Sequence, residues 1–343
     1  MTHELNSANI RLCKKCAFPL GTRPNTLDVE GVCLACINQE NKKSINFKER
    51  QDWLDQFLKE NPSTSDYDCL IAVSGGKDSH AIVRRVIENH GLTNPLLVTV
   101  TDEFTHTKAG LHNINNLVTR YDLDHITFRC KPETFKRETK KDFENELHPL
   151  KWIEEKIYSV PVDIAKKFGI NIVFYGENSA FEYGTSRELE IFHSSSTDDL
   201  HIIYLGAIYP YSIHDSLECA REIGFKDLAD FNEWPRVGAA DTYSQIDSIG
   251  YIIQLWTKYV KFGFQRVADM SCRLVRDGLM TREQALEIIK NEDHICDPAS
   301  KTDFCRAIDI TEEYFDEIVA KHVNTDLVKQ DKDGNWKRID LFD

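Results

Sequence analysis

The sequence predicts an α/β protein built on a parallel sheet, preceded by a small metal-binding knuckle and followed by a mostly helical region. Three observations carry this reading. The stretch CLIAVSGGKDSHAI, residues 69–82, reads as a short strand, a glycine turn and a helix start. After it, β-prone runs alternate with helical patterns as far as Tyr175, as expected of strands joined by crossover helices. Before it, Cys13, Cys16, Cys33 and Cys36 form two C-x2-C pairs separated by sixteen residues.

In chain order, residues 1–45 form the knuckle. Four thiolates at this spacing suit a tetrahedral Zn2+ that holds a fold and does no chemistry; a redox pair or an iron–sulfur site is the competing use. Residues 46–204 form the nucleotide-binding unit. It opens with a helix over 47–59, with Trp53, Leu54 and Phe57 on one face, and the loop NPSTSDYD leads into the first strand, Leu70 to Val73. Helices are expected near 79–89, 108–121 and 151–168, and strands over Leu96–Thr101, His125–Arg129 and Ile170–Tyr175. Residues 205–343 read as helices over 213–223, 245–262, 265–277, 281–291 and 311–321. The late run DKDGNW has its glycine too early for a calcium loop and Phe342 where the bidentate Glu belongs, so a hairpin turn is expected.

Composition bounds the partners. The 343 residues suffice for a substantial core, and a formal net charge of -14 disfavours a broad nucleic-acid footprint. No apolar run reaches spanning length and MTHELNSANIRLCKK lacks the apolar core of a leader, so a cytoplasmic protein with no membrane contact is expected.

The glycine turn is where chemistry is expected. A strand running into a helix start leaves unpaired N–H groups and a positive dipole end, which together make an anion site. Ser74, Gly75, Gly76, Lys77, Asp78 and Ser79 would cradle phosphate. The Walker and Rossmann glycine spacings are both absent. At the end of the strand at 170–175, Gly176, Glu177, Asn178, Glu182 and Tyr183 would share the same sheet edge. Asp78 and the glutamates could serve Mg2+ beside a pyrophosphate. Thr101 and Asp102 stand where a bound nucleotide's base or ribose would lie, and Asn113 follows in a candidate substrate loop and helix. From 243 onward, aromatics interleave with cations, Tyr259, Lys261, Arg266, Arg273 and Arg276 among them, a mix able to stack a ring and pair an anion.

SGGKDS resembles the PP-loop of the ATP pyrophosphatases, an adenine nucleotide alpha hydrolase-like fold whose members cleave ATP between the α and β phosphates. The wider set resembles the N-acetyl sugar amidotransferases of bacterial surface-sugar biosynthesis, including pseudaminic acid and lipopolysaccharide enzymes. Its parts are the four-cysteine knuckle with GVC, SGGKDS, T-x-x-G-x-x-N-x-x-x-L, YGEN with Y-G, IDSxGYII, KFGF and TREQA. The run FGFQRVADM departs from the family's pattern. The resemblance implies conversion of an N-acetyl group to an acetamidino group, using ATP, Mg2+ and Zn2+. It assigns catalysis to Asp78, Lys77, Glu177, Asn178 and Glu182, and sugar binding to Asn113, Tyr183, Tyr259, Lys261 and Arg266. It further implies a separate glutaminase subunit with a cyclase-like companion, since Thr2 rules out an N-terminal cysteine nucleophile and no G-x-C-x-G elbow occurs.

Two other functions fit the same motifs. A tRNA-thiolating enzyme would share the loop and the paired cysteines. Against it stand the acidity and the isolation of Cys69, Cys130, Cys219, Cys272, Cys296 and Cys305. A non-catalytic adaptor for a glutaminase would tolerate loss of Ser74, Asp78, Ser79 and Glu177, all of which are present.

Overall fold

The computed structural model describes residues 10–24 and 26–341, so Thr2 and Phe342 lie outside the described residues. Strands β1 (Asp28–Val29) and β2 (Val32–Cys33) form a small antiparallel hairpin that leads directly into α1 (Leu34–Lys42). Helix α2 (Phe47–Glu60) follows, with the Asn46 side chain capping it by accepting the Glu49 N–H. Then come β3 (Cys69–Ala72), α3 (Lys77–Arg84, continued by a π turn to Asn89), β4 (Pro95–Thr101), α4 (Lys108–Tyr121) and β5 (His125–Arg129). Helices α5 (Pro132–Glu146) and α6 (Lys151–Phe168) precede β6 (Ile172–Tyr175), α7 (Ser179–Glu182) and β7 (His201–Tyr204).

The five strands β3 to β7 make one parallel sheet in the order β5-β4-β3-β6-β7. Strand β3 is the hinge of this order. It pairs with β4 on one side, Leu70 opposite Leu96, and with β6 on the other, Leu70 opposite Val173. Its apolar run is buried from Cys69 to Ile71, as the middle of a sheet covered on both faces requires.

The rest of the chain is α8 (Ile213–Glu222), α9 (Leu228–Phe231), α10 (Ile252–Phe262), α11 (Arg266–Arg276), α12 (Arg282–Glu292), α13 (Pro298–Ile308) and α14 (Glu312–His322). The hairpin β8 (Val328–Gln330) and β9 (Trp336–Arg338) closes it, with the expected turn at DKDG. One hydrophobic cluster joins Phe135, Phe143 and Ile153 to Ile253, Trp256, Phe304 and Phe315, tying α5 and α6 to α10, α13 and α14.

Several elements differ from the sequence expectation, among them α13, which none of the expected helices covers. Helix α1 was read only as part of the cysteine knuckle. Helix α5 is so charged that its buried stripe is Phe135, Thr139 and Phe143 alone, too sparse to read as amphipathic. Strand β7 is four residues long and was not among the expected strands. The helix expected over 245–262 begins at Ile252, because residues 245–250 are tied into loop contacts. Ser248 bridges to His106, and the Gly250 N–H donates to Asp303.

Candidate active site

A parallel sheet places ligands outside the carboxyl ends of its strands, where the strand order reverses. Here that point lies between β3 and β6. Ser74–Ser79 follow β3 and Gly176–Glu177 follow β6, and both line a cavity of about 300 Å3. Ile82, Val98, Val100, Ile153 and Ile157 give the cavity an apolar floor, while Ser74, Asp78, Ser79 and Glu177 give it a polar wall. An apolar floor suits a flat base, and the polar wall suits phosphates.

The turn itself is held by short-range bonds. Gly75 has φ of +83°, and a Cβ there would come within 2.9 Å of Ile114, so the position demands glycine twice over. The Ser74 N–H donates to the Ser79 hydroxyl at 3.0 Å, and the His80 ring nitrogen Nδ1 meets the Gly76 carbonyl at 3.0 Å. No side chain caps Gly76, which leaves the first-turn N–H groups of α3 facing the cleft.

Lys77 is only 3% exposed, and its ammonium lies 2.7 and 2.8 Å from the two Asp78 oxygens and 3.4 Å from the Tyr211 hydroxyl. Burial works against the Asp78 carboxylate, but the charge and hydrogen bonds of Lys77, with Arg273 and Arg266 farther off, hold its pKa below the ordinary range. Glu177 accepts from Arg273 Nη1 at 3.1 Å. The Arg273 guanidinium stacks 4.4 Å from the Tyr183 ring, and the Tyr183 hydroxyl accepts from Arg266 Nη1 at 3.3 Å.

Several expected site residues stand elsewhere. Asn178 was expected among the catalytic groups; it is buried, its carbonyl caps α7 through the Phe181 N–H, and its amide bonds the Glu190 carbonyl. Glu182 does not line the cavity and is held in a 2.6 Å ion pair with Lys42, and burial raises its pKa despite that partner. Asn113 clamps the Lys226 backbone through both its amide and its carbonyl, leaving nothing for a sugar. Tyr259 is a core residue whose hydroxyl accepts the Arg338 N–H. Lys261 reaches the Glu146 carbonyl in a separate cavity with His148 and Glu154.

Thr101 and Asp102 lie beside the cleft. Asp102 lines the first cavity and also a second of about 420 Å3, where it is joined by Thr101, His106 and Asp247. Burial raises the Asp102 carboxyl, while Ser248 and the Phe104 N–H, both donating to it, oppose that rise. Asp247 of the IDSxGYII run borders both cavities, and burial together with Asp102 pushes its carboxyl up to about 6. A larger open groove of about 820 Å3 runs over Phe57, His193 and His201 and shares only Tyr204 with the first cavity. The loop amides do not line it, so chemistry selects the smaller cavity.

Tyr211 was not expected as a site residue, and Arg273 was expected only as one of the cations interleaved with aromatics after residue 243, with no partner assigned. For Arg273 a signal existed, since it stands seven residues after Arg266 and therefore on the same face of one helix.

The metal groups fit their ligands. The four cysteine sulfurs lie within 4.8 Å of one another, with Cys13–Cys36 at 3.9 Å and Cys16–Cys33 at 3.6 Å. Tetrahedral Zn–S bonds set sulfurs roughly 3.8 Å apart, so Zn2+ is accommodated with little movement. Asp78 and Glu177 give a Mg2+ two carboxylates and leave its other positions to phosphate and water. No helix among the described residues is long and apolar enough to cross a membrane.

Residues 231–341 match the family model described as LPS biosynthesis protein WbpG-like, C-terminal domain. The match covers the IDSxGYII, KFGF and TREQA runs, so it falls on part of the segment that carries the sequence resemblance. An uncharacterized protein of Methanocaldococcus jannaschii is 24% identical over 277 residues, covering 80% of this chain and 91% of its own. Among solved structures, the NH3-dependent NAD synthetase of Campylobacter jejuni in complex with the nitrate ion is similar at a TM-score of 0.35. It is 13% identical, covering 53% of this chain and 75% of that one. The matched segment contains α11, and hence Arg266 and Arg273, the latter paired with Glu177 of the cavity.

Proposed function

We propose that this chain is an ATP-dependent, AMP-forming amidotransferase that converts the N-acetyl group of a bacterial surface sugar into an acetamidino group. The observation that carries the reading is the composite cleft. The glycine turn and Glu177 line one cavity, and Glu177 is paired with Arg273 of α11, in a segment similar to a lipopolysaccharide-biosynthesis family.

The chemistry needs adenylation because an amide carbonyl is a weak electrophile and its oxygen a poor leaving group. The acetamido oxygen attacks the α-phosphorus of ATP, forming an O–P bond as the α–β bridge breaks and pyrophosphate departs. Ammonia then adds to the imidate carbon, AMP leaves with the oxygen, and loss of a proton gives the amidine. The α3 amides and Lys77 stabilise charge developing on the departing phosphates. Bound Mg2+, held by Asp78 and Glu177, would neutralise phosphate charge. The apolar floor excludes water that would otherwise hydrolyse the adenylate. Ammonia is supplied by a separate glutaminase subunit, with a cyclase-like companion. The sugar is a nonulosonic acid such as pseudaminic acid or a nucleotide-linked sugar, and the reaction belongs in the cytoplasm, where ATP is available.

The test is mass spectrometry of N-acetylated sugars and sugar acids incubated with the protein, ATP, Mg2+ and ammonium chloride. A product in which NH replaces oxygen, formed with AMP and pyrophosphate, is expected. Asp78→Ala should lose pyrophosphate release by at least about a hundredfold while keeping its zinc. AMP formation with every sugar unchanged would remove the sugar as acceptor, and full activity in the variant would remove Asp78 from the mechanism.

A further inference from the structure

We infer that Arg273, acting with Lys77, completes an oxyanion site that grips the β- and γ-phosphates of ATP and the pyrophosphate they become. The inference rests on the ATP-dependent reading above and adds to it a residue from outside the nucleotide-binding unit.

Arg273 is 6% exposed, yet its Nε and Nη2 have no hydrogen-bond acceptor among the described residues. A buried guanidinium seldom leaves N–H groups unmade. Its one partner is Glu177, a residue of the cleft wall, through Nη1 at 3.1 Å. The guanidinium lies 4.4 Å from the Tyr183 ring and 5.5 Å from the Tyr211 ring. These contacts hold it in place and leave its donors for an anion. Lys77 lies 5.7 Å from the same Tyr211 ring, so the two cations flank one aromatic group beside the α3 amides.

The neighbouring arginine points the same way. Lys77 pairs with Asp78 and Arg273 with Glu177, while Glu182 is taken by Lys42. Among the described residues Arg266 hydrogen-bonds the Tyr183 hydroxyl, and its Nε has no acceptor. The two arginines therefore hold three guanidinium nitrogens without an acceptor among the described residues, Arg273 Nε and Nη2 and Arg266 Nε. A planar fork of donors matches a phosphate edge bidentately, and a sugar-acid carboxylate offers the same edge. The proximity to the α3 amides and Lys77 favours the phosphate.

Calorimetric titration of the zinc-loaded full chain separates the two sources, using sodium pyrophosphate in one arm and N-acetylneuraminate in the other. Arg273→Met should weaken pyrophosphate binding by about tenfold or more, with Arg273→Lys intermediate, and leave the sugar acid unaffected. Glu177→Gln, which releases the fork, should tighten pyrophosphate binding several-fold, and that gain should vanish in the Arg273→Met background. If Arg273→Met does not fold, the Glu177→Gln arm decides, and unchanged affinity there overturns the site. Unchanged pyrophosphate affinity in Arg273→Met, or a loss confined to the sugar acid, also overturns it. Wild-type protein that binds neither ATP nor pyrophosphate removes the ATP-dependent reading as well. Intact ATP binding with Arg273 irrelevant removes this inference alone.

Discussion

His80 shows how one residue of the glycine turn acquires a second role in the fold. It is fully buried, its Nδ1–H donates to the Gly76 carbonyl, and its Nε2 accepts from the Asn116 amide at 3.2 Å. That amide also donates to the Ile223 carbonyl, which fixes its orientation and makes the ring neutral. Burial accordingly lowers the His80 pKa from 6.5 to about 4, although the Gly76 bond resists the shift. As pH falls, the unfolded chain takes up this proton first. The stability contributed by His80 is thus whole above about 6.5 and is lost towards 4, on the order of 3 kcal/mol. Urea unfolding at a series of pH values should show this acid limb, and His80→Gln should flatten it; equal slopes in both proteins would refute the account. At this scale, Ser74 to Ser79 were legible in the sequence because a strand, two glycines and a helix start are local chemistry. Asn178, Asn113 and Tyr259 were not, because whether an amide or phenol faces a cleft or a backbone is settled by neighbours distant in sequence.

Helices explain motifs that residue chemistry leaves open. In T-x-x-G-x-x-N, Thr107 caps α4 by accepting the Gly110 N–H and donates its hydroxyl to the Ile246 carbonyl. Gly110 lets the 245–250 loop pass, since a Cβ there would lie 2.7 Å from the Asp247 Cα, and Asn113 holds Lys226. The motif therefore fastens α4 to the loop that brings Asp247 to the cleft. The cysteine knuckle has a comparable bracing role. Its α1 holds the loop after β6 through Asn38, which donates to the Phe181 and Ser186 carbonyls, and through Lys42 on Glu182. On its other side the Cys272 thiol donates to the Cys16 carbonyl, and Arg282 donates to that of Cys13. The knuckle thus braces both the Glu177–Tyr183 segment and α11. Stripping zinc with a chelator, or Cys33→Ser, should lower the melting temperature by several degrees and reduce pyrophosphate release in parallel. Metal-free protein with undiminished release would show that this bracing is dispensable.

Across the whole molecule, the helices after residue 205 share a core with the sheet's own α5 and α6. Phe143 stacks 5.0 Å from Phe315 and packs 5.2 Å from Phe304. A chain ended at residue 204 would expose Phe135, Phe143 and Ile153, each worth roughly 1.5–3 kcal/mol of burial. It should aggregate or lose its near-ultraviolet circular dichroism, while a monodisperse, folded fragment would show the sheet to be self-sufficient. The sequence by itself determined the parallel α/β class, the glycine turn after the first sheet strand, the four-cysteine cluster and most helix bounds, because each rests on spacing within a few residues or on strong periodicity. It left α5 hidden, since two phenylalanines and a threonine in a charged stretch become a stripe only against α13 and α14. Only the tertiary structure decided that Arg273 reaches Glu177, ninety-six positions earlier in the chain, and that Tyr259 and Asn113 do not face the cleft. Those outcomes depend on how α11, α10 and α4 pack against the sheet, and packing is a property of neighbours brought together by folding, which residue spacing does not encode.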